Sequence, residues 1–291
     1  MTRVCFAVSL LACAFPVHSQ ELATSYKSTE VRPGIYVVEG EGGFGGGNVG
    51  LLVGDDRVVM IDDTMVSTAP ALIAAATETA GRPIDFVINT HVHGDHAGGN
   101  ALLAESGTVV IAHDNIRTRL LEDPASAGGP AGIPVITFAD GLTFHFNDHE
   151  AQIFHVKHAH TDGDAVVYFQ NANVIHTGDV MFNGIFPFID LDNGGSVEGY
   201  IAAARKIHSM ADDETIIIPG HGPLARKDDL AVLIDMLDDA RSQVEALMIA
   251  GKTEEEILAA NPLSVYHDDW NWQFITTEVM TRTLYRSLTS E

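Results

Sequence analysis

Four side chains of the kinds that bind metal ions lie within six consecutive residues, in the segment HVHGDH. In extended backbone, residues i and i+2 share a face, so His91 and His93 can converge on one point. Asp95 and His96 follow a glycine, which lets the chain turn and directs them to a second point nearby. Imidazole and carboxylate ligands suit zinc, and also iron or manganese. The alternative is a polar, histidine-rich loop at the surface.

Thiolate ligands are excluded once the beginning of the chain is interpreted. Arg3 and the apolar run after it predict a secretory signal peptide over residues 1–19, and export to the periplasm or the medium. The alternative is a lipoprotein signal in which Cys13 becomes the lipidated residue. Both cysteines, Cys5 and Cys13, lie in this segment, so a chain cut after Ser19 has no disulfide and no thiolate.

The charge balance excludes several classes of partner. Asp and Glu number 40 against 16 Lys and Arg, which gives a formal net charge of −24. Such a surface repels nucleic acid, and beyond the leader no apolar run has the roughly 20 residues that cross a bilayer. We therefore expect no nucleic-acid partner, no stable membrane insertion and a small-molecule substrate. The sequence does not determine the oligomeric state.

The elements that must position the metal-binding segment can be predicted from periodicity. Short β-branched runs with glycine breaks predict antiparallel strands over residues 34–62, and a helix follows at 68–80. A buried strand leads directly into His91. Further strands are predicted between residues 135 and 180, and nearly everything from Leu224 onward reads as helical. This order predicts an α/β sandwich of sheets flanked by helices, in one domain over residues 20–291 with a helical extension at about 226–291.

The segment HVHGDH resembles the H-x-H-x-D-H signature of the metallo-β-lactamase superfamily, and further similarities follow in the family's order. AHTDGDAVVYF from Ala159 resembles its third-histidine segment, HTGDVMF from His176 its acidic bridging segment, and PGHGP from Pro219 its last-histidine segment. The hairpin ending at Asp62 is similar to its N-terminal strands. The resemblance implies the αβ/βα sandwich fold, with two mixed β-sheets flanked by helices and extra C-terminal helices.

The resemblance also implies a ligand set and a chemistry. The first metal would be held by His91, His93 and His160, the second by Asp95, His96 and His221, with Asp179 bridging them. Two Zn²⁺ ions are implied, with iron or manganese as alternatives, and each keeps a position open for water, as catalytic sites do. A shared hydroxide would attack a carbonyl carbon, and Asp95 would orient it and relay its proton.

The substrate class depends partly on Asp179. Several family members that hydrolyse β-lactams have cysteine or serine at the matching position, whereas thioesterase and lactonase branches have aspartate. We expect a secreted zinc hydrolase that opens a cyclic amide or ester, either a β-lactam or a lactone. The first alternative is a glyoxalase-type thioesterase or broad esterase. An iron-dependent oxidoreductase and a non-catalytic metal-binding module are further alternatives.

Other residues are candidates for the surroundings of the site. Asp62 is either a hydrogen-bond acceptor for a ligand imidazole or a turn residue. Aromatic side chains either wall a pocket or belong to the core; they are Phe44, Phe182, Phe186 and Phe188. Trp270 and Trp272 are expected to anchor the last helix by packing. If the strand that contains His155 continues regularly, His158 shares the face of His160, and His155 points away.

Overall fold

The computed structural model describes residues 21–23 and 25–290. The signal peptide predicted over residues 1–19 and the alternative lipidation at Cys13 lie outside these residues and stay predictions. Among the residues described, no helix combines the length and the apolar character that crossing a membrane requires.

The first sheet, as far as the chain is described, has seven strands that lie in chain order. They are β1 (Ser25–Arg32), β2 (Ile35–Glu41), β3 (Val49–Leu52), β4 (Val59–Ile61), β5 (Phe86–Ile88), β6 (Val109–His113) and β7 (Ile136–Phe138). Strands β1 to β4 pair antiparallel, which confirms the strands predicted within residues 34–62 and adds β1. From β4 to β7 the pairing is parallel, so the sheet is mixed.

The second sheet is also mixed, and its order is β12-β11-β10-β9-β8. Its strands are β8 (Gly141–Phe146), β9 (His149–His155), β10 (Ala165–Phe169), β11 (Val174–Phe182) and β12 (Ile216–His221). Strands β8 to β11 pair antiparallel with their neighbours, whereas β11 and β12 are parallel. Because β11 and β12 run in the same direction, residues near their ends approach one another.

The two sheets pack face to face, and helices cover their outer faces. Ile61 and Ile88 of the first sheet share a core with Val167 and Ile218 of the second. The helices are α1 (Ala69–Ala80), α2 (Gly94–Ala97), α3 (Asn100–Glu105), α4 (Asp114–Glu122), α5 (Val197–Met210), α6 (Lys227–Ile249), α7 (Glu254–Ala260), α8 (His267–Trp270) and α9 (Thr277–Ser290). Helices α1 and α3 pack on the first sheet, and α5, α6 and α9 on the second. The predicted sandwich is confirmed.

The extra C-terminal helices are confirmed, and short connecting segments separate them. Helix α8 ends at Trp270, and α9 begins only at Thr277. Asn271 has an extended backbone, and its Oδ1 accepts the Thr277 N–H at 2.7 Å, which starts the next helix. Residues 271–276 therefore form a connecting segment, which the functional site uses.

The strand that contains His155 is shorter than predicted. Strand β9 ends at His155, and Asp164 folds the loop that follows, because its carboxylate accepts the backbone N–H and the hydroxyl of Thr161. His158 lies in the left-handed region with φ of 50°, so the strand-face argument that placed it beside His160 is wrong. Its Nδ1–H donates to the carbonyl of Gly194, and its side chain is exposed.

Candidate metal centre

Seven histidine and aspartate side chains meet where several strands end. In each of two groups, the possible ligand atoms all lie within 4.8 Å of one another. The groups are His91, His93, His160 and Asp179, and Asp95, His96 and His221. The four candidate ligands of HVHGDH follow β5, His160 lies in the loop between β9 and β10, Asp179 lies in β11, and His221 ends β12. The structure therefore brings together all seven residues that the sequence singled out.

Asp62 lies outside both ligand groups and holds an imidazole of each in place, His96 directly and His91 through Thr90. Its Oδ1 accepts the Thr90 N–H at 2.7 Å, and its Oδ2 accepts the Thr90 hydroxyl and the His96 Nδ1–H, each at 2.8 Å. Since the Thr90 hydroxyl donates to Asp62, its oxygen accepts the Nδ1–H of His91 at 3.0 Å. In their neutral forms both imidazoles therefore keep their lone pair on Nε2. Asp62 reaches this position with φ of 65°, a conformation that is uncommon for residues other than glycine.

The other two histidines of the first group are oriented in the same way. The Nε2–H of His93 donates to Oδ2 of Asp190 at 2.8 Å, and the Nδ1–H of His160 donates to the carbonyl of Phe188 at 2.7 Å. These bonds leave lone pairs on Nδ1 of His93 and Nε2 of His160, which lie 2.8 Å apart. Two lone pairs at that distance repel unless a cation lies between or beside them.

A second observation also points to a cation. Nε2 of His91 is buried and has no hydrogen-bond partner among the residues described, and the nearest carboxylate oxygen, of Asp179, lies 3.7 Å away. A buried, unpaired imidazole nitrogen costs free energy that a metal–ligand bond offsets. The nitrogen and oxygen donors present fit a centre of two metal ions, and none of the described residues adds a sulfur donor to it.

Asp179 lies between the two groups. Its Oδ1 is 3.1 Å from Nε2 of His96, and its Oδ2 is 3.5 Å from Nε2 of both His160 and His221. Asp95 completes the second group, with Oδ2 at 3.4 Å from Nε2 of His221. One carboxylate within reach of imidazoles from both groups has the placement that a bridging ligand requires.

The charges of the cluster shift the pKa of its members strongly. Burial opposes ionisation of Asp179 and Asp95, but the neighbouring imidazoles, His96 first, lower the pKa of Asp179 well below its usual range and that of Asp95 to about 2. Burial also opposes protonation of His221, but Asp179 outweighs it and raises the pKa of His221 to about 9. The pKa of His96 is raised well above its usual range for the same reason. Protonated imidazoles thus neutralise the carboxylates where bound cations would do so.

Two glycines leave room for this cluster. A side-chain carbon at Gly47 would overlap the imidazole ring of His96, and one at Gly220 would overlap the carboxylate of Asp179. The glycine-rich loop before β3 therefore approaches the second group closely, and the Gly47 N–H donates to the carbonyl of Asp95 at 3.1 Å. The structure thus gives this loop a packing role.

A cavity of about 390 Å³ opens onto the cluster. His93, Asp95, Asp179 and His221 form its polar side. Its other side is aromatic, formed by Phe44, Phe182, Phe188, Trp272 and Phe274. Phe44 and Phe182 both stack on the ring of His221, with centroids at 6.0 and 4.9 Å.

The structure gives each of the remaining aromatic candidates its place. Of the two alternatives for Phe186, pocket wall or core, the core is correct, because Phe186 is fully buried and packs against Trp270 and Tyr266. Trp270 and Trp272 both pack on the core as expected. Trp272 also lines the cavity, which was not predicted, and its Nε1–H donates to the carbonyl of Phe186 at 2.9 Å.

Sequence reasoning missed three residues of the site. Thr90 and Asp190 hold ligand imidazoles, and Phe274 lines the cavity. The position of Thr90, directly before His91, was a signal that could have been used. The Asp190–His93 contact joins residues that lie 97 positions apart, so no local sequence pattern predicts it.

Comparisons with known proteins agree with this geometry. The family model described as the metallo-beta-lactamase superfamily matches residues 42–221, more than half of the chain. The hydroxyacylglutathione hydrolase of Brucella anthropi is 26% identical over 237 residues, which cover 76% of this chain and 82% of that protein. The hydroxyacylglutathione hydrolase of Pelagibacter ubique is 33% identical over 101 residues. These residues are 34% of this chain and only 37% of that relative's length. The metallo-beta-lactamase from Pontibacter korlensis superposes with a TM-score of 0.63 at 17% identity, covering 74% of this chain and all of that one.

Proposed function

Because the chain belongs to the metallo-β-lactamase superfamily, we propose that it is a zinc-dependent hydrolase that opens a cyclic ester or amide. The superfamily match and the hydrolase relatives support a metal-dependent hydrolase. The observation that carries the proposal is the complete set of seven nitrogen and oxygen ligands at the floor of a cavity. Neutral or singly charged ring substrates suit its volume of about 390 Å³, which is at the small end of the range for ligand pockets.

The zinc ions, when bound, would lower the pKa of water to about 7 and polarise a carbonyl group. His91, His93 and His160 would hold one ion, and Asp95, His96 and His221 the other, with Asp179 shared. Hydrogen bonds from the far nitrogens of His91, His93, His96 and His160 fix these four imidazoles before metal binds, so little reorganisation is needed.

Asp95 has the position for a second role. Its carboxylate is 25% exposed and lines the cavity, whereas Asp179 is almost fully buried. With a pKa of about 2, Asp95 is ionised near neutral pH and accepts a hydrogen bond from the attacking water. It is a weak base, so it orients the water and passes a proton to the leaving group rather than retaining it.

A thioesterase is the second candidate function. The observation that favours it is the similarity to hydroxyacylglutathione hydrolases. The match to one of them extends over 82% of that relative's length. A glutathione thioester carries a long charged tripeptide. The aromatic side of the cavity offers such a group no counter-charge, which is why we place the cyclic substrates first.

The test is a hydrolysis screen of zinc-replete protein with nitrocefin, N-acyl-homoserine lactones and S-lactoylglutathione. We expect turnover of the lactone or the β-lactam, and a loss of about 100-fold or more in kcat for Asp95→Asn. Asp55→Asn, an exposed aspartate far from the cavity, serves as the matched control and should stay within about twofold. Hydrolysis of the thioester alone would move the assignment to the second candidate. No hydrolysis of any substrate would overturn both.

A further inference from the structure

The aromatic side of the cavity comes from two parts of the chain. Phe44, Phe182 and Phe188 lie within the residues that the family model matches. Trp272 and Phe274 lie beyond them, in the segment between α8 and α9. The family's shared motifs therefore do not account for this second part of the wall.

The segment that carries these two residues is held on both sides of Phe274. The Trp272 N–H donates to the carbonyl of Ile275 at 3.2 Å, and Oδ1 of Asn271 accepts the Thr277 N–H at 2.7 Å. The side chain of Ile275 is only 2% exposed and belongs to the core between the second sheet and its helices. Phe274 is thus fixed at the cavity although its own side chain is 57% exposed.

The rings make a continuous aromatic path from solvent to the ligand histidines. The ring centroid of Phe274 lies 5.2 Å from that of Phe188 and 5.6 Å from that of Trp272, in each case with an interplanar angle of 66°. Phe188 in turn lies 5.6 Å from the rings of both His93 and His160. Edge-to-face packing of this kind stabilises aromatic groups and would accept one more ring from a ligand.

The aromatic part of the wall offers no counter-charge to an anionic group. None of the described residues that line the cavity is lysine or arginine, and its polar side chains, His93, Asp95, Asp179 and His221, lie on the opposite side, at the metal centre. The chain as a whole has a formal net charge of −24. A carboxylate or phosphate bound against the aromatic wall would lose its hydration without gaining a partner.

We propose that Trp272 and Phe274 are specificity-determining residues that hold an aromatic group of an uncharged substrate beside the metal centre. For the bond that is broken, this inference rests on the proposed function. For the binding of the aromatic group it does not, because the wall and its charges exist whatever bond reacts.

Fluorescence tests the binding part without turnover. Trp270 and Trp272 are the two tryptophans of the chain, so Trp270→Phe leaves Trp272 as the sole reporter. In zinc-replete protein we expect phenylacetamide to change the emission saturably and acetamide to leave it unchanged. In the Trp270→Phe protein, the further substitution Phe274→Ala should raise the apparent Kd for phenylacetamide at least fivefold. No saturable change with phenylacetamide, or an unaltered Kd in the Phe274→Ala protein, would overturn the inference.

A pair of substrates with the same reacting ring tests the specificity. We expect kcat/KM to be at least tenfold higher for N-phenylacetyl-homoserine lactone than for N-acetyl-homoserine lactone, and Phe274→Ala to remove most of this difference. Val265→Ala, at an exposed position of the same C-terminal region, is the control and should preserve it. Equal kcat/KM values in the native protein would overturn the specificity. Aromatic binding without any hydrolysis would instead contradict the proposed function and leave the binding inference standing.

Discussion

Asp62 and Asp190 show how much of the metal centre depends on carboxylates outside the ligand set. Asp62 is fully buried and receives hydrogen bonds from Thr90 and His96, and Asp190 receives the Nε2–H of His93. Each fixes which imidazole nitrogen keeps a lone pair, and so which atom faces the metal. The motif predicted the ligands because they lie in short ordered segments. Asp190 could not be predicted, because its partner is distant in sequence and the contact exists only after the sheets have packed.

The protonation of His221 and His96 leads to a prediction at the same scale. Near pH 7 the metal-free protein carries a proton on His221, whose pKa is about 9, and on His96, whose pKa is also raised. These protons stabilise the metal-free fold below the unfolded pKa of about 6.5, and that contribution is lost as the pH rises through about 9. Zinc requires the unprotonated imidazoles, so its apparent affinity should increase with pH over this range.

Calorimetric titration with zinc in buffers of different ionisation enthalpy measures the protons released. We expect about two protons per protein near pH 7, and fewer as the pH rises through about 9, where His221 loses its proton. His221→Gln should release about one fewer. A proton count near zero at neutral pH would show that the cluster is not held together by protonated imidazoles.

At the scale of elements, short loops placed after strands determine the site, and this is where sequence patterns are weakest. The regular alternation that would have placed His158 beside His160 ends at His155, and nothing in the local sequence shows that Asp164 closes the loop on Thr161. Nothing in the sequence placed residues 271–276 at the cavity, because Asn271 positions this segment through a contact with the following helix. By contrast, helix α1 was predictable at both ends from Thr68 and Gly81.

The glycines at the site give a prediction for these loops. Gly94 stands inside HVHGDH, yet it begins helix α2, and a side-chain carbon there would meet its nearest atom, the carbonyl oxygen of Ser126, at 3.6 Å. Gly47 is remote in sequence, but a side-chain carbon there would overlap the ring of His96. We therefore expect Gly47→Ala to lose about one of two zinc ions, with activity at least tenfold lower, and Gly94→Ala to keep both.

Zinc content after dialysis, measured by mass spectrometry, distinguishes the two variants, and circular dichroism shows whether each is folded. Equal zinc content in folded Gly47→Ala and Gly94→Ala proteins would contradict the close packing of the glycine-rich loop on His96. If only Gly94→Ala lost zinc, metal binding would depend on Gly94 of the motif and not on Gly47.

At the scale of the whole molecule, the acidic surface and the aromatic wall of the cavity both disfavour anionic substrates. The formal net charge of −24 produces a field that repels anions over distances of about 10 Å at 0.1 M salt. We therefore expect kcat/KM for an anionic substrate to rise several-fold between about 10 and 300 mM sodium chloride, as salt screens this field. A neutral substrate with the same reacting ring should change by less than about 1.5-fold.

N-succinyl- and N-propionyl-homoserine lactone form such a pair, because they differ only in one remote carboxylate. Parallel salt responses of the two would show that the surface charge does not reach the cavity. The same measurement bears on β-lactams, since penicillins carry a carboxylate next to the reacting ring. If the anionic lactone is slow and is rescued by salt, carboxylated β-lactams meet the same barrier at low ionic strength, and uncharged lactones become the better fit to this cavity.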